Sequence, residues 1–154
     1  MTATTPGLDV AVFDMDDTLA DVTHRRGLVE RSPKDWESFF AQCDRDRPNK
    51  PVVEIAQILG SSHDIHVVTA RRKKETDITE QWLQNYSVPY AALWVLRSDE
   101  GDDKYTPDVE LKQRWLDQFE GKRRISYVFD DRNKVVAMWR RNGLTCFQVA
   151  EGNF

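Results

Sequence analysis

Five short apolar runs govern what this chain can fold into: LDVAVF (8–13), IHVVT (65–69), ALWVL (92–96), ISYVF (125–129) and TCFQV (145–149). LDVAVF is too continuous for a strand with one face in water, so it reads as a strand buried on both faces, and IHVVT repeats the pattern. Helical segments separate the runs. PVVEIAQILG (51–60) carries Pro51 at the first helical position, apolar residues at helical spacing and Gly60 at its end. A polar helix is expected over Thr76–Tyr86, another over Asp108–Phe119, and a third in KVVAMWRRNG, closed by Gly143. Strands that alternate with helices predict an α/β fold, a central parallel sheet covered on both faces.

One segment breaks the rhythm. Residues 20–49, between Leu19 and Asn49, form a polar insertion after the first strand, with one short helix expected over Pro33–Cys43. Ser32 is placed to cap that helix and Pro33 to open it. An insertion at this point lies over the strand ends, where open α/β sheets bind ligands. It is too short for a domain and reads as a small cap or flap on a single domain of 154 residues.

Composition narrows the class. Hydrophobic residues make up 40% of the chain, enough for a packed core. No apolar stretch approaches the ~20 residues of a membrane span, and MTATTPGLD is not a signal peptide. Cys43 and Cys146 lie far apart with no metal-ligand spacing, which points to reduced thiols in a cytoplasmic protein. The net charge of −4 argues against a general nucleic-acid binder, yet basic clusters occur at Arg25-Arg26, Arg45–Lys50, Arg71–Lys74, Lys122–Arg124 and Arg140-Arg141.

The chemistry gathers where the strands end. VFDMDDTL places Asp14, Asp16 and Asp17 within four positions, and Asp130 and Asp131 follow the fourth strand. In a parallel sheet those ends share one edge. Carboxylates converging there need a cation, and oxygen ligands favour a hard one, Mg²⁺. Asp14 and Asp16, two apart in an extended segment, are expected on one side, one to attack and the other to transfer a proton. A phosphoryl group shielded by metal and cations is a fitting electrophile. Lys112 is placed to neutralise it, Asp108 one turn earlier to hold Lys112, and Thr18, Thr69 and Ala70 to bind phosphate oxygens.

These elements resemble the haloacid dehalogenase (HAD) phosphotransferase superfamily. FDMDDTL looks like its DxDxT motif, and Thr69, Lys112 and Asp130-Asp131 stand where the other three motifs are expected. The ending FDDRNKVVAMWRRNGLTCFQVAEGNF is similar to that of the 3′-phosphatase domain of phage polynucleotide kinase-phosphatases. The resemblance implies a HAD-type Rossmann-like fold and a Mg²⁺-dependent phosphomonoesterase acting on 3′-phosphates of DNA or RNA ends. It implies that Asp14 forms an aspartyl-phosphate, that Asp16 is the general acid-base, and that Arg25 and Arg71 are required. It further implies that Asp108 and Lys112 form a pair, and that Asp14, the Asp16 carbonyl, Asp130 and Asp131 hold the metal. Asp17 replaces a common glycine and is read as a bystander. No GxxxxGK[ST] occurs, so kinase activity is not expected from these residues, and a separate kinase or ligase partner stays open.

Plainer readings stand beside these. An isolated acidic trio is more often a turn or cap, and any cation of RRKK, or Arg26 in place of Arg25, could meet the phosphate. His24, His63 and His66 read as surface or core residues. Trp82, Trp94, Trp115 and Trp139 read as core, whereas Trp36 and Phe39 or Phe40 could stack on a base. Two rival functions remain: a phosphatase of free nucleoside monophosphates, and a non-catalytic module that binds nucleic-acid ends.

Overall fold

The computed structural model describes residues 7–154. β1 (Val10–Phe13) is buried throughout. Ala11 and Phe13 join one apolar cluster while Val10 and Val12 join another, so the strand has no water-facing side. That is the environment its unbroken apolar run requires.

The chain then leaves the sheet through β2 (Ala20–Asp21), α1 (Thr23–Glu30), α2 (Trp36–Ala41) and β3 (Arg47–Pro48). β2 and β3 pair antiparallel, Ala20 with Pro48 and Asp21 with Arg47, and so close a neck beneath the two helices. The helix expected over Pro33–Cys43 is α2, shorter than expected, and the insertion holds a second helix, α1, ahead of it. Asp35, not Ser32, caps α2, its carboxylate accepting from the Ser38 N–H at 3.0 Å. α1 escapes pattern reading because THRRGLVE has Gly27 at its centre and only two apolar residues in sequence. Its buried residue is Arg25, an anchor that no hydrophobic periodicity registers.

α3 (Lys50–Leu59) has Pro51 in its first turn, as expected. After it come β4 (Asp64–Arg72), α4 (Thr76–Asn85), β5 (Tyr90–Arg97), α5 (Asp108–Gln118), β6 (Ile125–Asp130), α6 (Asn133–Arg141) and β7 (Cys146–Gln148). The main sheet has the order β5-β4-β1-β6-β7 and is parallel throughout. Val52, Val53 and Ala56 of α3 pack with Trp82 and Leu83 of α4 on one face. Trp115 and Leu116 of α5 pack with Val135, Val136, Met138 and Trp139 of α6 on the other. Helices thus cover both faces, as the alternating pattern predicts.

β1 lies between β4 and β6, where the order of connection reverses, and the carboxyl ends of these strands border one crevice. β4 runs further than IHVVT suggests, so Arg71 and Arg72 still belong to the strand. Cys43 and Cys146 are free and buried, and burial pushes both thiols up, Cys146 to about 12. No helix among the described residues is long and apolar enough to cross a membrane.

Candidate active site

Three carboxylates meet at the crevice. Asp14 follows β1, Asp130 ends β6 and Asp131 comes next, all buried, with one oxygen from each lying within 4.8 Å of the others. Burial raises the Asp14 carboxyl above its usual range, and the neighbouring Asp130 adds to the rise. The same causes push Asp131 up to about 6. Lys112 opposes them: its ammonium donates to Asp14 Oδ1 and Asp130 Oδ2, each at 2.8 Å. Although burial works against its charge, Asp130 and Asp14 hold Lys112 firmly protonated.

The remaining contacts fix orientation. Trp139 Nε1–H donates to Asp130 Oδ2 at 3.1 Å, and the Asp131 N–H donates to Asp130 Oδ1 at 2.9 Å. The Thr18 hydroxyl lies 3.2 Å from Asp14 Oδ2 and 3.4 Å from Asp131 Oδ1, so its single proton serves the two carboxylates. One buried cation facing three acids leaves excess negative charge. All-oxygen donors at this spacing fit a hard divalent ion, which would complete the charge balance.

Asp16 does not share that cluster, and this corrects the expectation that it projects alongside Asp14. Its Oδ1 accepts from Arg25 Nη2 at 2.8 Å, Arg71 Nη2 at 2.6 Å and Arg71 Nε at 3.1 Å. The cause is the turn after β1, where the Leu19 and Ala20 N–H groups donate back to the Met15 carbonyl. The strand ends before Asp16, and the period-two argument ends with it. Burial pushes the Asp16 carboxyl up, but Arg71 and Arg25 outweigh it and hold it at about 2.

Both guanidiniums are fixed from behind by Asp46, a fully buried residue that sequence reading passed over. Arg25 donates to Asp46 through Nε at 2.8 Å and Nη2 at 2.6 Å, and Arg71 Nη2 reaches Asp46 Oδ2 at 3.2 Å. His24 Nε2 lies 2.7 Å from Asp46 Oδ1, so this histidine joins the network. Arg25 rather than Arg26 faces Asp16, and Arg71 rather than Arg72 does so from β4. Arg26 pairs with Asp17 instead at 2.7 Å, and Arg72 with Glu75 and Glu37. Asp17 is therefore no bystander: it sits at φ 59°, the conformation that makes glycine common there, and its carboxylate holds α1 through Arg26 and the Val22 N–H.

Asp108 also departs from expectation. Its carboxylate accepts from Arg97 Nη2 at 2.7 Å and Arg132 Nη1 at 2.8 Å, not from Lys112, and Pro107 occupies the N-cap of α5. Arg97, unnoticed in sequence, also donates to the carbonyls of Ala70, Asp103, Lys104 and Thr106. It ties the end of β4 to the loop before α5. Thr69 is buried at the crevice edge, and its hydroxyl accepts from the Arg71 N–H at 3.2 Å. Gly152 packs against the acidic pair so closely that a Cβ would sit 2.1 Å from the Asp131 carbonyl oxygen.

Residues 8–154 match the family described as the polynucleotide kinase PNKP phosphatase domain. The chain belongs to that family. It is therefore a HAD-superfamily phosphatase. Two structures of a Pnkp1/Rnl/Hen1 RNA repair complex contain similar chains, each 29% identical over 96% of this one, with TM-scores of 0.74 and 0.75. This chain spans only 44% and 47% of those chains. A haloacid dehalogenase-like protein, SP0104 from Streptococcus pneumoniae, shares the fold at 13% identity and TM-score 0.59, covering 92% of this chain and 84% of its own.

Proposed function

We propose that this PNKP-type phosphatase domain removes the phosphate from the 3′ end of a DNA or RNA strand through an aspartyl-phosphate on Asp14. The observation that carries the reading is the division of the two motif carboxylates. Asp14 lies in a buried acidic cluster with Lys112, and Asp16 among arginines, with its side chain 28% exposed. Without metal or substrate the shifts run against these roles, Asp14 up and Asp16 down; a bound divalent cation would draw Asp14 down to the ionised nucleophile, and a phosphate on the arginines would let Asp16 rise.

Lys112 at Oδ1 and Thr18 at Oδ2 orient the Asp14 carboxylate, one oxygen of which attacks phosphorus as the ester P–O bond breaks. A sugar hydroxyl leaves poorly as an alkoxide, so its oxygen takes a proton from Asp16. In the free protein Asp16 is held ionised by Arg25 and Arg71. An entering phosphate dianion draws on the same guanidiniums, relaxes their hold and lets Asp16 take up the proton it must give. Asp16 then receives a proton from the water that attacks the acyl phosphate, releasing inorganic phosphate and restoring Asp14. Asp14, Asp130, Asp131 and the Asp16 carbonyl would hold Mg²⁺, which when bound screens the charge on the phosphoryl oxygens. Separate end-healing partners are consistent with the RNA repair complexes that contain the similar chains.

The test compares phosphate release from a 3′-phosphorylated oligonucleotide and from 3′- and 5′-mononucleotides, with Mg²⁺ and after its removal. Faster turnover of the oligonucleotide, lost in Asp14→Ala, is expected. Equal or better turnover of mononucleotides would overturn the end-healing reading.

A further inference from the structure

Apolar packing does little to hold α1 in place. Of its eight residues only Leu28 and Val29 are large and apolar, and both are half-buried. Gly27 sits at its centre, and a helix this short is marginal by itself. Its one buried side chain is Arg25, which meets Asp16 at 2.8 Å. Polar contacts therefore decide where α1 sits, and with it the guanidinium that faces Asp16.

Asp17 supplies one of those contacts. The turn after β1 is closed by its own backbone: the Thr18, Leu19 and Ala20 N–H groups donate to the Met15 carbonyl, and the Asp17 N–H donates to the Ala20 carbonyl at 2.7 Å. At φ 59° a glycine would serve that backbone without strain, so the turn itself has no need of a carboxylate. The carboxylate reaches α1 instead. Its Oδ2 accepts from Arg26 Nη2 at 2.7 Å, and its Oδ1 from the Val22 N–H at 3.4 Å. Val22 is the N-cap and has no side-chain oxygen to offer, and the first turn carries no acid, so negative charge from Asp17 suits this end of the helix. The pair is partly sheltered, with the Asp17 side chain 15% exposed and that of Arg26 40%.

Three consecutive residues of α1 thus reach three acids. His24 lies 2.7 Å from Asp46, Arg25 donates to Asp16 and Asp46, and Arg26 donates to Asp17. Arg25 is held between two flanking contacts. Arg71 comes from β4, within the sheet, and grips Asp16 through bonds of 2.6 and 3.1 Å without help from α1. Asp14 is separate again: its carboxylate is held by Lys112 and Thr18, neither of them on α1.

We propose that Asp17 and Arg26 are positioning residues, whose ion pair seats α1 on the turn after β1 so that Arg25 aligns the Asp16 carboxyl for proton transfer. Without the pair α1 shifts, Asp16 is left to Arg71 alone, and the nucleophile stays where it was. This rests on the reading of Asp16 as proton carrier and extends it to a pair that touches neither substrate nor reacting atoms.

The experiment sets substrates that need the proton against one that does not. A sugar alkoxide leaves poorly and p-nitrophenolate leaves readily, so general-acid help matters for the first and little for the second. First-turnover rates are measured for a 3′-phosphorylated oligonucleotide, a nucleoside 3′-monophosphate and p-nitrophenyl phosphate in the wild type, R26M, R26K, D17N and D17N/R26M. Asparagine tolerates a positive φ, so D17N removes the charge and spares the turn. The ratio of sugar-phosphate to arylphosphate rates should fall about five- to tenfold in R26M and in D17N, with R26K keeping most of it. The double variant should be no worse than either single one, because one pair is lost once. Hydrogen exchange in α1 should quicken in R26M and not in R26K. Equal losses on both kinds of substrate, an unchanged ratio, additive losses in the double variant or unchanged exchange would each overturn the proposal. A wild type that turns over the mononucleotide but not the oligonucleotide would sink the end-healing reading instead, and the ratio taken with the mononucleotide still decides the role of the pair.

Discussion

At the residue scale, the arrangement turns on how unlike charges are held out of water. Lys112 bridges Asp14 and Asp130, and Asp46 holds Arg25 and Arg71 toward Asp16. Removing one member of a buried pair leaves an uncompensated charge, a loss of about 3–5 kcal/mol. Asp46→Asn is therefore expected to lower the unfolding free energy read from urea curves by that amount. It should also lower kcat, because freed guanidiniums no longer face Asp16. Unfolding and phosphate-release assays on one preparation check both, and an unchanged kcat would show that Asp46 has no positioning role. Gly152 carries a different constraint. It needs no unusual φ; the Asp131 carbonyl leaves no room for a methyl group. Gly152→Ala should displace Asp131 and cut activity at least about tenfold, roughly the effect of losing one well-placed ligand contact.

At the element scale, β4 and β5 meet through a titrating side chain. Trp94 Nε1–H donates to His66 Nδ1 at 3.0 Å, which requires that nitrogen unprotonated. Burial lowers the His66 pKa below its usual 6.5, and a nearby arginine, Arg124, helps, though Asp64 works against it. A folded-state pKa below the unfolded one means that the unfolded chain binds the proton more readily. This contribution is complete above about pH 6.5 and is lost as pH falls through the folded value. His66→Gln should therefore flatten the decline in stability between about pH 7 and pH 5, as read from unfolding curves at each pH. The cap has its own latch on the core: Glu37 of α2 accepts from Arg72, the last residue of β4, at 2.8 Å and from Lys74, in the turn after it, at 3.2 Å. Glu37→Ala should speed hydrogen exchange in α1 and α2 while leaving α5 and α6 unaffected.

At the scale of the whole molecule, the crevice gathers more negative charge than Lys112 balances, an excess that a divalent cation would relieve. Asp14 and Asp131 have raised pKa values, so the folded protein without metal binds protons more tightly than the unfolded chain does. Its stability from these groups is greatest below the unfolded value of 3.8 and is lost as pH rises through about 6. Saturating Mg²⁺ should accordingly raise the Tm more at about pH 7.5 than at about pH 5, and Asp131→Asn should shrink that difference. The fold behind this site was legible from the chain alone, because short apolar runs alternating with helical segments read as a parallel sheet between helices, and VFDMDDTL and Asp130-Asp131 fall where two of those strands end, although the runs at β5 and β7 leave Trp94 and Phe147 exposed. Local pattern also set Asp14 among the acids at the sheet edge. What it could not reach were the partners chosen across long separations. Asp16 turning to Arg25 and Arg71, Asp46 behind them, Asp108 given to Arg97 and Arg132, and Gly152 against Asp131 depend on segments up to 55 positions apart. Hydrophobic period reports which way a backbone faces the core. Which buried charge finds which counter-charge is decided only when the elements pack, since each must end paired in a space that the sequence does not measure.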